Sequence, residues 1–243
     1  MTDQPPPRQI VALGGGGFSM EPDNLALDRY ILGLARRDEP RICFIPTASG
    51  DAIDYIDRFY AAFAPMACEP THLSLFKPPT ADLRAFVQEQ DVFYVGGGST
   101  RNLLVLWREW GLDTMLREAW ERRAVLAGIS AGSICWFESG VSDSVVPGDL
   151  APLRCLGFLP GSNCPHYDSE AERRPTYQRL IAAGALPDGY AADDGVALHF
   201  VGDRLERIVS SRPHAKAYRL ERHGDQVIET ALPPNYLGFT SLS

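Results

Sequence analysis

Residues 124–137 read AVLAGISAGSICWF. The apolar run Ala124–Ser130 passes without a polar break into Ala131–Ser139, which predicts a buried strand running directly into a helix. At the junction stands Gly128-Ile129-Ser130-Ala131-Gly132, a G-x-S-x-G pattern. Such a pattern puts a serine on a strained strand-to-helix turn, where small neighbours let the backbone approach flanking elements closely. The helix start favours negative charge developing beside the serine, and the N–H of Ala131 is a natural oxyanion donor.

Upstream, the chain alternates short apolar runs with amphipathic segments. Strands are expected at Ile10–Gly17, Arg41–Ser49, Thr71–Phe76 and Asp91–Ser99. Helices are expected at Asn24–Arg37, Asp51–Phe63 and Thr80–Glu89, the last capped by Thr80, and between Thr100 and Arg123 with a break at Gly111. This alternation predicts an α/β fold with a parallel sheet covered on both faces, whose ligands sit at the carboxyl ends of the strands. Three of those ends carry GGGG (14–17), GGGS (96–99) and GISAG (128–132). Gly14–Gly17 fails as a dinucleotide fingerprint because the third glycine is missing, and no phosphate-binding P-loop is present.

Downstream the texture changes. Val141–Asp168, rich in Pro and Gly, reads mostly as ordered loop with short strands, and Glu170–Gly184 as a helix. From Tyr190 onward, apolar runs separated by Gly202-Asp203 and Gly224-Asp225 predict antiparallel strands. No repeat or separating linker occurs, so residues 1–243 read as a single domain.

A serine nucleophile needs a base. His72 reads as a structural histidine in a strand, and His199, His214 and His223 as solvated. His166 lies in the irregular Asn163–Asp168 loop, where catalytic side chains concentrate, and is the expected base. Spacing leaves Asp143, Asp168, Asp193 and Asp194 open as the acid that would orient it. Cys135 reads as packing, and Cys164 stands too close to His166 to partner it.

Composition removes other classes. The 23 Lys and Arg against 31 Asp and Glu give a net charge of −8, unsuited to nucleic acid or an anionic membrane. Five scattered cysteines make neither a disulfide framework nor a structural zinc site. Met1–Ile10 lacks the apolar core of a signal peptide, and no run has the ~18 apolar residues of a membrane span. The expected location is the cytoplasm.

Over nearly the whole chain, VGGGSTRNLLVLWREWGL, AGISAGSICWF, CPHYD and GYAADDGVALHF resemble the peptidase E / cyanophycinase family of serine peptidases. The resemblance implies a flavodoxin-like, doubly wound sheet related to class I glutamine amidotransferases. It also implies Ser130 as nucleophile, His166 as base, and the N–H groups of Gly98 and Ala131 as oxyanion hole. Two readings of the acid exist, Asp143 and Asp194. Asp194 is preferred, with Asp193 turned to the opposite face.

Where the glycine motif usually continues with Asn or Gln this chain has Ser99, a candidate substrate contact. Arg173 and Arg174 are the nearest counterparts of the arginine that reads an N-terminal aspartate, so both Asp-X dipeptidase and broader aminopeptidase activity are expected classes. The alternatives are a cyanophycinase-like or other small-amide or ester hydrolase, and a non-catalytic relative that binds a small molecule. No cofactor or metal is expected. A small peptide is the expected partner, with a homodimer left open.

Overall fold

In a computed structural model, which describes residues 7–146 and 148–238, the glycine-ended runs become neighbouring parallel strands. These are β1 (Gln9–Leu13), β2 (Arg41–Ile45), β3 (Glu69–His72), β4 (Val92–Val95) and β5 (Val125–Ile129), ordered β1-β5-β4-β2-β3. Between them run α1 (Gly17–Met20), α2 (Ala26–Leu32), α3 (Ile53–Phe63), α4 (Leu83–Gln88), α5 (Thr100–Trp110), α6 (Leu112–Glu121) and, after β5, α7 (Ala131–Ile134). Strand residues alternate between the two faces. Ile10, Ala12, Phe93, Val95 and Leu126 pack with residues of α4 to α7, whereas Val11, Leu13, Val92, Tyr94 and Ala127 pack with α1 to α3. Because both faces are buried, β1, β2, β4 and β5 read as continuous apolar runs, and the sheet is doubly wound and flavodoxin-like. Pairing sets Leu13 opposite Ile129 and Val95 opposite Gly128, so the three glycine-rich ends lie side by side.

The rest of the chain builds β6 (Phe137–Val146), β7 (Asp149–Arg154), β8 (Leu159–Cys164), α8 (Arg173–Ala182), β9 (Gly189–Ala192), β10 (Val196–Val201), β11 (Arg204–Ser210), β12 (Ala217–His223), β13 (Gln226–Leu232) and β14 (Asn235–Tyr236). Strands β10, β11 and β14 extend the first sheet beyond β1. The others form a second sheet, β13-β12-β9-β8-β6-β7, and one apolar cluster draws on both sheets.

Four expectations need correction. Residues 137–164 are mainly strand, with the ten-residue β6 at their head, and not mostly loop. The helix after Ser130 ends at Ile134 and not at Ser139. Gly140 lies so close to Ile134 that a Cβ there would sit 2.6 Å from its Cγ2, and this lets β6 fold back over the short helix. β3 ends at His72, because the Asp51 carboxylate accepts from Ser74 Oγ and from the Phe76 N–H at 3.0 Å and turns the chain. Asp82, and not Thr80, caps α4 by accepting the Ala85 N–H at 2.9 Å. The break at Gly111 is as expected, in the left-handed region with φ 67°.

Candidate active site

The end of β1 organises this site. Three successive carbonyls there each take a different element: Leu13 O accepts Ser130 N–H at 3.4 Å, Gly14 O accepts His166 N–H at 3.0 Å, and Gly15 O accepts Gly195 N–H at 3.1 Å. The elements can come this close because β1 ends in glycine. A Cβ on Gly14 would lie 2.3 Å from the Asp193 carbonyl oxygen, and one on Gly15 2.0 Å from Asp194 Oδ1. Residues 152 positions apart in the chain, Gly14 and His166, thus meet through backbone alone.

Ser130 sits at φ 57°, ψ −113°, between the last residue of β5 and the first of α7. A non-glycine residue there costs about 1–3 kcal/mol and persists where surroundings impose it. Here they do: a Cβ on Gly128 would lie 2.3 Å from Gly132 O, and one on Gly132 2.3 Å from Val95 O, so the turn is clamped between its own helix and β4. Ser130 is partly exposed, whereas Ser133 one turn later is buried and donates to Asn163 Oδ1 at 3.0 Å. Asn163 also donates to Tyr190 O, so it ties the serine turn to the strand that delivers His166. In the sequence, Asn163 is marked only as an amide three residues before the histidine.

His166 also has a left-handed backbone, φ 55°, and its Nδ1 lies 2.7 Å from Asp194 Oδ1. With Asp194 accepting from Nδ1–H, Nε2 is left with its lone pair free. Burial pushes the Asp194 carboxyl upward, but the hydrogen bond and charge of His166, with Ser169 and Arg212, outweigh it and hold its pKa below the ordinary value. Its neighbour behaves oppositely. Asp193 accepts the Lys216 N–H at 2.8 Å on another side, and burial raises its pKa to about 6. Asp168 accepts the Asp194 N–H at 2.8 Å and so fixes the backbone of the DDG turn. Asp143 lies exposed on β6. No hydrogen bond joins Ser130 Oγ to His166 among the described residues. Catalytic hydrogen bonds commonly tighten only in the reacting complex.

The Gly96–Ser99 loop lies beside the serine, since a Cβ on Gly97 would be 3.2 Å from Ser130 Cβ. Gly96 N–H donates to Ile45 O and Ser99 N–H to Ala48 O, pinning the loop at both ends. Ser99 Oγ caps α5 by accepting the Asn102 N–H at 3.2 Å. Among the described residues, the N–H groups of Gly98 and Ala131 have no acceptor.

Arg173 is buried, its Nε donating to Glu170 at 2.6 Å and its Nη1 to Val141 O at 3.2 Å. Arg174 pairs with Glu229 and lies over the rings of Tyr167 and Tyr218, 5.4 and 5.1 Å from their centres. His199 corrects the expectation of a solvated histidine: it is buried, between the Tyr30 hydroxyl at 2.7 Å and Gln9 at 3.1 Å, and burial lowers its pKa to about 4. His72 bonds the Tyr60 hydroxyl at 2.8 Å, and His214 and His223 are exposed. Among the described residues no three His, Cys, Asp or Glu side chains gather as a metal would require, and no helix is long and apolar enough to cross a membrane.

Known proteins resemble the chain throughout its length. The crystal structure of a peptidase from an acI-B1 actinobacterium superposes with a TM-score of 0.68 at 17% identity, over 96% of this chain and 100% of that one. A Listeria monocytogenes crystal structure, provisionally named a peptidase E protein, gives 0.57 at 16% identity, over 93% and 100%. Those likenesses concern the fold. In sequence, the chain is 63% identical over 231 residues to the uncharacterized peptidase YgaJ of Bacillus subtilis (strain 168), covering 95% of this chain and 100% of that protein. Residues 10–208 match the model of peptidase family S51, and with this coverage the chain belongs to that family, the peptidase E family.

Proposed function

We propose that this chain is a serine exopeptidase that removes the N-terminal residue of small peptides through an acyl-enzyme on Ser130. The supporting observation is the 2.7 Å His166–Asp194 pair, hung from the same β1 carbonyl series as the strained Ser130. In this reading His166 Nε2 takes the Ser130 proton as Oγ attacks the scissile carbonyl. Asp194 fixes the tautomer and stabilises the imidazolium. The oxyanion is received by the N–H groups of Gly98 and Ala131. His166 then protonates the leaving amine, and water, deprotonated by the same histidine, releases the acyl group. No step calls on a metal or cofactor.

The geometry favours broad aminopeptidase action over strict Asp-X cleavage. Arg173 spends its guanidinium on internal partners and Arg174 is held by Glu229, which leaves neither free to read an acidic side chain. Ser99 is the remaining candidate contact, at the rim of the glycine loop. We place the enzyme in the cytoplasm, where small peptides are degraded and where its five free cysteines would stay reduced. A panel of X-p-nitroanilides and X-Leu dipeptides including Asp-Leu, run with wild type and Ser130→Ala, tests the reading. Turnover of several neutral N-terminal residues by the wild type alone is expected. Cleavage confined to Asp-Leu would overturn the specificity, and turnover by Ser130→Ala the mechanism.

A further inference from the structure

We propose that Tyr55 is a positioning residue that aims the oxyanion loop at Ser130. The inference rests on the reading of Ser130 as nucleophile and Gly98 N–H as oxyanion donor. Tyr55 lies on α3, buried among Phe18, Phe44 and Phe59, and sends its hydroxyl up to the strand ends. There it accepts the Gly97 N–H at 3.2 Å and shares a 2.7 Å hydrogen bond with Ser19 Oγ on α1. One phenol thus joins the segment after Gly14–Gly17 to the Gly96–Gly98 loop, the two glycine-rich ends that flank the serine turn.

The bond decides which amide is left over. In the loop, Gly96 N–H is taken by Ile45 O, Gly97 N–H by Tyr55, and Ser99 N–H by Ala48 O. Gly98 N–H alone among these has no acceptor among the described residues. Glycines at 96, 97 and 98 give the loop wide φ freedom, so without a fixed Gly97 amide the peptide that carries Gly98 N–H can rotate away. Preorganised donors are effective because they need no reorientation as charge develops. Burial holds the phenol above its ordinary pKa, so it stays a neutral hydroxyl able to accept from Gly97 while bonded to Ser19. Tyr55 reaches no reacting atom; it acts through the loop.

Tyr55→Phe keeps the ring in its aromatic cluster and deletes the bond. We expect kcat to fall about tenfold with KM within about twofold, less than the ~10²–10³ lost with a whole oxyanion donor. Affinity for a peptide boronate, which forms a tetrahedral adduct on a nucleophilic serine, should fall in parallel, with the thermal melt lowered only by the few degrees that a lost buried hydrogen bond costs. Ser19→Ala, which loosens the phenol from the other side, should show the same pattern at about two- to threefold, so the test survives a poorly folding Tyr55→Phe. An unchanged kcat in folded Tyr55→Phe, or a lowered kcat with full boronate affinity, overturns the role of Tyr55 and leaves the nucleophile standing. If wild type forms no boronate adduct at Ser130, the underlying reading fails and this one with it.

Discussion

Asp194 stays ionised in a buried turn because His166, Ser169 and Arg212 together outweigh desolvation, while Asp193 beside it, turned toward Lys216 N–H, is raised to about 6. Adjacent carboxyls whose surroundings push them apart are a sign of divided roles. Asp194→Asn should therefore lower kcat/KM by about 10³- to 10⁴-fold, the scale of a triad whose histidine holds the wrong tautomer. Asp143→Asn, on an exposed strand position, should leave it within about twofold of wild type. Steady-state kinetics on one dipeptide decides between them, and the reverse ranking would make Asp143 the acid. Spacing left four aspartates open because an acid is chosen by which side chain faces the imidazole, and that depends on β10 returning beside β1. His199 was misread for a similar reason: its partners Tyr30 and Gln9 stand 169 and 190 residues away, so its burial has no local signature.

At the level of elements, β1, β4 and β5 were legible because burial on both faces makes them continuous apolar runs that stop at glycines. The second sheet was legible only in its β12–β13 hairpin, which turns at Gly224-Asp225 as expected. Its strand β8, Leu159–Cys164, contains Pro160 and Gly161 and has no apolar alternation, since its inner positions are polar groups satisfied by distant partners, such as Ser162 with the Tyr177 hydroxyl at 2.8 Å. The glycine ends carry a prediction of their own. Gly15→Ala would put a Cβ 2.0 Å from Asp194 Oδ1, so either the carboxylate or the strand end must move. A loss of activity of at least a hundredfold is expected, out of proportion to any fall in melting temperature. A crystal structure of that variant with Asp194 undisturbed, together with full activity, would refute the placement of the β1 end.

For the whole molecule, a buried acid under the site links stability to pH. Asp28 on α2 is fully buried beneath Gly17 and near the Tyr94 hydroxyl, and neither carboxyl oxygen completes a hydrogen bond. Desolvation raises its pKa to about 7, offset in part by the nearby Phe18 and Asp28 N–H groups and the Tyr94 hydroxyl. Between about pH 4 and 7 the folded chain keeps that proton and the unfolded chain has lost it, so stability falls as pH rises, by about 1.4 kcal/mol per unit, and levels off above 7. Asp28→Asn should gain in melting temperature over wild type as buffer pH goes from 5 to 8. A gap independent of pH would show that Asp28 ionises freely. In the proposed reading the chemistry follows from the end of β1, whose three successive carbonyls receive the Ser130, His166 and Gly195 N–H groups. Intact-mass and peptide mapping after treatment with a fluorophosphonate measures that most directly. A single adduct on Ser130, absent from Ser130→Ala and strongly slowed in His166→Ala, is predicted; an unmodified protein, or an adduct on another residue, would contradict it.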